Sequence, residues 1–179
     1  SLVDRNPARG SSNHLVLLAR NQTGYQNLIK LTTRSYLQGF YYKPRIDHES
    51  LREFSEGLIG LSACLKGEIN ERILSNREAE AEARAREYAD ILGSENFFLE
   101  LQDHGIPEQR AANEVLRRMS RKLGLGLVVT NDCHYLHQSD SVAHDVLLCI
   151  GTQRARSDPD RLKYASDQFY LKSGAELAA

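Results

Sequence analysis

Four short apolar runs, at 14–19, 58–63, 97–102 and 125–130, alternate along the chain with longer amphipathic segments, and no other feature restricts the fold as much. Runs of this length, bounded by polar residues, read as buried strands rather than helices. The segments between them carry apolar residues at helical spacing. Thr23 is placed to cap the first helix, which sets Tyr25, Leu28, Ile29, Thr32 and Tyr36 on one stripe and meets Gly39 just past its end. A helix over 76–92 turns Ala81, Ala85, Tyr88, Ala89 and Leu92 inward and stops at Gly93. The next starts at Pro107, carries Ala112, Val115, Leu116, Met119 and Leu123 on its stripe and ends at Gly124. The last runs over 139–150 with Val142, Ala143, Val146, Leu147 and Ile150 facing the core. The class expected is α/β, with parallel strands alternating with helices, as an open doubly wound sheet or as part of a barrel.

Composition narrows the partners. With 23 Lys and Arg against 24 Asp and Glu the net charge is -1, so any nucleic-acid contact has to be local. Three cysteines without a CxxC pair or a secretory leader fit a reducing compartment, and a cytoplasmic location is expected. No apolar run approaches the ~20 residues that span a bilayer, so no membrane partner is expected. Residues 1–12 read as a loop at a truncated end, and a helix begins near the other terminus, over 172–179. Both ends are those expected of a piece of a longer polypeptide.

In parallel α/β architectures chemistry gathers beyond the C-terminal ends of strands. Asp132 and His134 follow the fourth run directly, and in extended chain their i, i+2 spacing points both side chains the same way. A carboxylate beside an imidazole suits Zn²⁺ or Mn²⁺, a general acid/base pair, or a plain structural hydrogen bond. Cys64 follows the second run. Its thiolate would favour Zn²⁺ or another borderline metal over Mg²⁺, and the alternative is a small buried residue. His14 stands at the start of its run, where the strand-end rule does not place it in the same site. His104 and Glu100 satisfy that rule by position, and Asp103 suits an Asx turn before Gly105. Cys133 and Cys149 read as packing residues, and His48, His137 and His144 as partly exposed. Arg34, Lys43, Arg45, Arg154, Arg156 and Arg161 are scattered cations, either phosphate contacts or ordinary surface. Dinucleotide-binding GxGxxG, P-loop and GxSxG patterns are missing, which removes nucleotide-dependent kinase and serine-hydrolase readings.

The segments 14–21, 24–28, 39–47, 60–68, 98–105, 130–135 and 169–173, read in order, resemble the PHP (polymerase and histidinol phosphatase) domain family, in the branch found in the alpha subunit of bacterial DNA polymerase III. The resemblance covers nearly the whole chain. It implies a distorted (β/α)7 barrel, of which this chain would be the C-terminal part, with 13–153 a partial PHP domain and 154–179 its end and the start of a linker to missing polymerase domains. It also implies His14, Cys64, Asp132 and His134 as metal ligands for Zn²⁺ or Mn²⁺, and a metal-dependent 3′–5′ exonuclease or phosphoesterase. The earlier ligands of such domains, a His-x-His pair, an Asp, a His and a Glu, would precede this chain. The Mg²⁺-binding carboxylates for nucleotide addition would follow it, leaving the fragment inactive alone. Implied partners of the whole protein are a DNA primer-template, dNTPs, a sliding clamp, an exonuclease subunit and a clamp loader. Two other readings stand beside this one: a non-catalytic scaffold supporting the polymerase and its exonuclease, and a free-standing phosphatase.

Overall fold

A computed structural model describes residues 12–178, so nearly all of the loop expected over 1–12 lies outside the described residues. The elements are β1 (Val16–Ala19), α1 (Gln22–Leu37), α2 (His48–Glu53), β2 (Leu58–Leu61), α3 (Glu68–Leu74), α4 (Glu78–Leu92), β3 (Phe97–Leu101), α5 (Pro107–Leu123) and β4 (Gly126–Val129), then a 3-10 turn (Gln138–Asp140), α6 (Ser141–Thr152) and α7 (Gly174–Ala178). The chain divides into two compact units. Of the described residues, one comprises those through Glu100 together with Ala112–Val128, and the other Leu101–Ala111 together with those from Val129 onward. No helix among the described residues is long and apolar enough to cross a membrane.

The mixed α/β class holds, and the first unit carries most of a four-stranded sheet in the order β1-β2-β3-β4. β2 and β3 are parallel as expected, with Gly60 opposite Phe97 and Leu61 opposite Phe98. β1 is not: it runs antiparallel to β2, with Val16 opposite Leu61 and Ala19 opposite Leu58. An apolar run carries burial information but no direction, and the connection from β1 to β2 contains two helices, α1 and α2, instead of the single one expected. An antiparallel edge strand on an otherwise parallel sheet is a common outcome.

The helices of this unit follow the pattern where their small and large residues alternate cleanly. On α4, Ala81, Ala85, Tyr88 and Leu92 are buried, and on α5 Ala112, Leu116 and Met119. The Tyr88 ring stacks on Phe97 with centroids 5.1 Å apart. Gly93 and Gly124 end their helices with φ of 92° and 69°, a left-handed turn that glycine takes without steric cost.

α1 reverses its expected face. Tyr25, Ile29 and Tyr36 are exposed, while Gly24, Asn27, Leu31 and Ser35 are buried. The cap is Asn21, whose side chain accepts the Gly24 N–H at 2.9 Å, and not Thr23. Close approach explains the choice of face: a Cβ at Gly24 would stand 1.9 Å from the Gly57 carbonyl oxygen. Asn27 also donates to the Glu56 carbonyl at 3.0 Å. Helix-to-loop contact here runs through backbone and amides, which a hydropathy stripe does not register.

α2 and α3 pack with α4 around a buried carboxylate. Glu68 accepts from Tyr88 Oη at 2.6 Å and pairs with Arg72 and Arg84 at 3.0 Å each, and His48 Nε2 lies 3.2 Å from the same carboxylate. Burial alone would raise this carboxyl. Hydrogen bonds from His48 and Tyr88, with the charges of Arg84 and His48, outweigh burial and hold it at about 2. The same burial, with the Glu68 charge, pushes the Tyr88 phenol far up.

In the second unit α6 departs from expectation. Val142, Val146, Leu147 and Ile150 are exposed, and Cys149 is the buried residue of the helix. α7 begins as expected near the terminus, with Glu176 accepting the Ser173 N–H at 2.8 Å in a capping-box arrangement.

Candidate functional site

The reversed strand resolves the position of His14. With Val16 opposite Leu61, stepping back along the entering chain and forward past β2 brings residue 14 beside the turn that leaves β2. The His14 N–H donates to the Lys66 carbonyl at 3.0 Å, and His14 Nδ1 lies 3.5 Å from Cys64 Sγ. The antiparallel edge therefore carries the start of β1 to the end of β2.

The Cys64 turn is held tightly. Ala63 adopts a φ of 63°, a conformation that costs a non-glycine residue of order 1 kcal/mol and needs support from its surroundings. That support is visible. Glu100, buried in β3, accepts the Ala63 N–H at 3.0 Å, and Asn70 donates to the carbonyls of Ala63 and Cys64 at 3.3 and 3.1 Å. Gly67 closes the turn by donating to the Cys64 carbonyl at 2.7 Å, and a Cβ there would stand 2.2 Å from the Ser62 oxygen. Glu100, a candidate by position, thus shapes the turn from below and is not open to a ligand.

In the second unit Asp132 and His134 do share a side, as their spacing predicts, with Oδ2 and Nε2 3.3 Å apart. Tyr164 Oη also lies 3.3 Å from His134 Nε2. Their segment is pinned to the stretch around Phe169. The N–H groups of His134 and Tyr135 donate to the Phe169 carbonyl at 2.8 and 3.3 Å, and Leu171 returns one to Tyr135 at 3.1 Å. The Asp132 N–H donates to His104 Nε2 at 3.0 Å.

His104 is only 1% exposed and stacks flat on Phe169 with ring centroids 4.4 Å apart. Burial lowers its basicity, in keeping with a ring nitrogen that accepts the Asp132 N–H. Gln109 accepts the His104 N–H at 2.8 Å and lies 2.8 Å from its Nδ1. This histidine positions Asp132 and is not itself open to a ligand. Its strand-end location was legible. Its burial under Phe169, about 65 residues on, was not. Asp103 forms the expected Asx turn with the Gly105 N–H at 2.8 Å. Cys133 is exposed rather than packed, its Sγ facing the carbonyls of Asn131 and Tyr170, whereas Cys149 is buried as expected.

Each pair fits a borderline divalent cation by its donors: thiolate with imidazole, and carboxylate with imidazole. Among the described residues no group of three or more His, Cys, Asp or Glu side chains gathers as a metal site. His14 and Cys64 form one pair and Asp132 and His134 another, each within its own unit.

Comparison with known proteins adds two findings. A family model described as "PHP domain" matches residues 3–104, more than half of the chain, so that His14 and Cys64 lie inside the match and Asp132 and His134 beyond it. The chain is also similar to proteins named DNA polymerase III subunit alpha. The one from Treponema pallidum is 51% identical over 165 residues, covering 92% of this chain and 14% of that protein. The one from Thermus aquaticus is 49% identical over 182 residues, covering 100% of this chain and 15% of that protein. The one from Deinococcus radiodurans is 46% identical over 164 residues, covering 92% of this chain and 12% of that protein. The chain spans about one-seventh of the length of these relatives.

Proposed function

The chain belongs to the PHP-domain family, and we propose from that membership that it is part of a replicative DNA polymerase alpha subunit, in which it forms a metal-dependent phosphoesterase with 3′–5′ exonuclease character. The similarity to DNA polymerase III alpha subunits along essentially the entire chain carries this reading. On it, residues 13–153 are PHP domain and 154–179 its end, the four strands belong to a distorted (β/α)7 barrel, and the whole protein is a DNA-directed DNA polymerase acting on a primer-template and dNTPs. Sliding clamp, clamp loader and exonuclease subunit are its expected partners.

His14, Cys64, Asp132 and His134 are the ligands in this reading, for Zn²⁺ or Mn²⁺. A bound cation of this kind polarises a phosphodiester and lowers the pKa of bound water. The residues contribute position and charge. The strained turn at Ala63 presents the Cys64 thiol beside His14. Tyr164 and Asp132 orient the His134 ring, and His104 fixes the backbone of Asp132. Two donors per pair are fewer than the three or four protein ligands of a tight zinc site, so the pairs taken singly bind metal weakly.

The test uses the full-length gene product, purified without chelator. It should retain Zn²⁺ or Mn²⁺ by elemental analysis and shorten a mismatched primer, and Cys64→Ser with Asp132→Asn should lose both while primer extension with dNTPs persists. Absence of metal and of shortening from the unaltered protein ends the phosphoesterase reading in favour of a supporting domain. Absence of primer extension ends the polymerase reading.

A further inference from the structure

The second unit contains a cavity of about 290 Å³ whose walls include Tyr135, His144, Asp145, Arg156, Lys163 and Tyr164. Three aromatic rings line it close together. Tyr135 and His144 have centroids 5.3 Å apart, and His144 and Tyr164 5.1 Å apart. The cavity adjoins the Asp132/His134 pair: Tyr164 Oη reaches His134 Nε2 at 3.3 Å, and the His134 and His144 rings are 5.5 Å apart.

Two cations, Arg156 and Lys163, and two acids, Asp145 and Asp167, line it, with Arg161 as a further cation on Asp145. Asp145 is already satisfied by a two-pronged bond from Arg161, at 2.6 and 2.9 Å, whose side chain is only 8% exposed. Arg156, 3.6 Å from the same carboxylate, is a second cation on an anion already paired, and its side chain is two-thirds exposed. Lys163 is a third cation whose charge acts on Asp145, more weakly than those of Arg161 and Arg156. The other acid of the wall, Asp167, has its two oxygens taken by the amides of Gln138 and Gln168 at 2.9 and 2.8 Å.

We infer that this cavity binds one nucleoside 5′-monophosphate unit, its base against the aromatic rings of Tyr135, His144 and Tyr164 and its phosphate on Arg156 and Lys163. Stacking accepts any base, and Arg156 and Lys163, which share an acid already held by Arg161, recognise the phosphate, so the site selects the class of ligand without reading sequence. The volume, near the small end for ligand pockets, admits one such unit. Holding the terminal nucleotide during strand shortening is the use this site would have, and that use rests on the proposed phosphoesterase. The binding itself does not.

Binding is measured by calorimetry on the full-length gene product in excess EDTA, with dTMP, thymidine, inorganic phosphate and a short single-stranded oligothymidylate. The inference expects dTMP to bind without metal, and thymidine and phosphate each to bind more weakly by at least about tenfold. Arg156→Gln with Lys163→Gln should weaken dTMP by at least about tenfold, the loss expected for one or two charged hydrogen bonds. If the oligonucleotide competes with dTMP, the ligand is a strand terminus; if it does not, the ligand is the free mononucleotide. No dTMP binding in EDTA, or binding that the double variant leaves unchanged, overturns the inference. Metal-free dTMP binding by a protein that retains no metal would sink the phosphoesterase reading alone, and metal retention without dTMP binding would sink this one alone.

Discussion

The two units of this chain are held by different means. In the first, Leu51, Leu58, Ile69, Ala81, Phe97, Leu99 and Leu116 are almost wholly buried around the sheet, and the charged cluster at Glu68 is sealed in beside them. In the second, buried apolar side chains are few, among them Cys149 and Phe169, while Leu136, Val142, Leu147, Ile150, Leu162 and Leu171 are exposed. Order there comes from ring stacking and backbone hydrogen bonds, such as His104 on Phe169 and the Phe169 carbonyl on His134. Each candidate pair depends on its own kind of support. His14 and Cys64 sit on a hydrophobic sheet edge, whereas Asp132 and His134 sit on a loop fixed by polar contacts.

Charge removal in the first unit should produce the largest effect. Glu68→Gln removes the buried carboxylate that the half-buried Arg72 and Arg84 share, leaving them Glu80 and Glu87 as their other partners, a change that costs about 3 kcal/mol and is read as a lower urea midpoint. The same group gives a pH signature. Its carboxyl is depressed to about 2 in the folded chain, so its contribution is complete above the ordinary glutamate value and is lost as pH falls toward 2. The unaltered protein should lose on the order of 3 kcal/mol across that window, and Glu68→Gln should flatten this part of the pH dependence. An equally steep acid limb in the variant would show that the first unit does not owe its acid sensitivity to Glu68.

His104→Ala should cost less, about 1–3 kcal/mol, because it strips the Asp132 N–H of its acceptor and Phe169 of its stacked ring. NMR amide exchange should speed up over 131–135 and remain unchanged at β2. Faster exchange at β2 as well would mean the two units do not stabilise their pairs independently. The smallest change is expected on α6. Ile150→Ala, at a site 68% exposed, should stay within about 0.5 kcal/mol, whereas Leu116→Ala, at 0%, should cost about 2–5 kcal/mol. Comparable losses from the two would remove the contrast between the units.

Much of the fold was readable from local pattern. Glycine at 93 and 124, proline at 107 and the small-residue stripe of α4 mark elements through steric and burial rules that act within a few residues. α2 escaped notice although Asp47 caps it by accepting the Ser50 N–H at 2.8 Å, since six residues are too few to display a period. The apolar stripes of α1 and α6 misled for a different reason: periodicity shows that a helix has two faces, while the face that is covered depends on what arrives opposite it.

The candidate site divides along the same line. Asp132 and His134 are two residues apart, so their meeting follows from extended backbone alone and could be read off the chain. His14 and Cys64 are fifty residues apart, and they meet because β1 enters against the direction of β2. Residue type and spacing specify which atoms are available as donors and where helices and strands stop. Strand direction, the covered face of a helix and the approach of distant donors are settled by packing among remote segments, because those interactions have no counterpart within any one stretch of sequence.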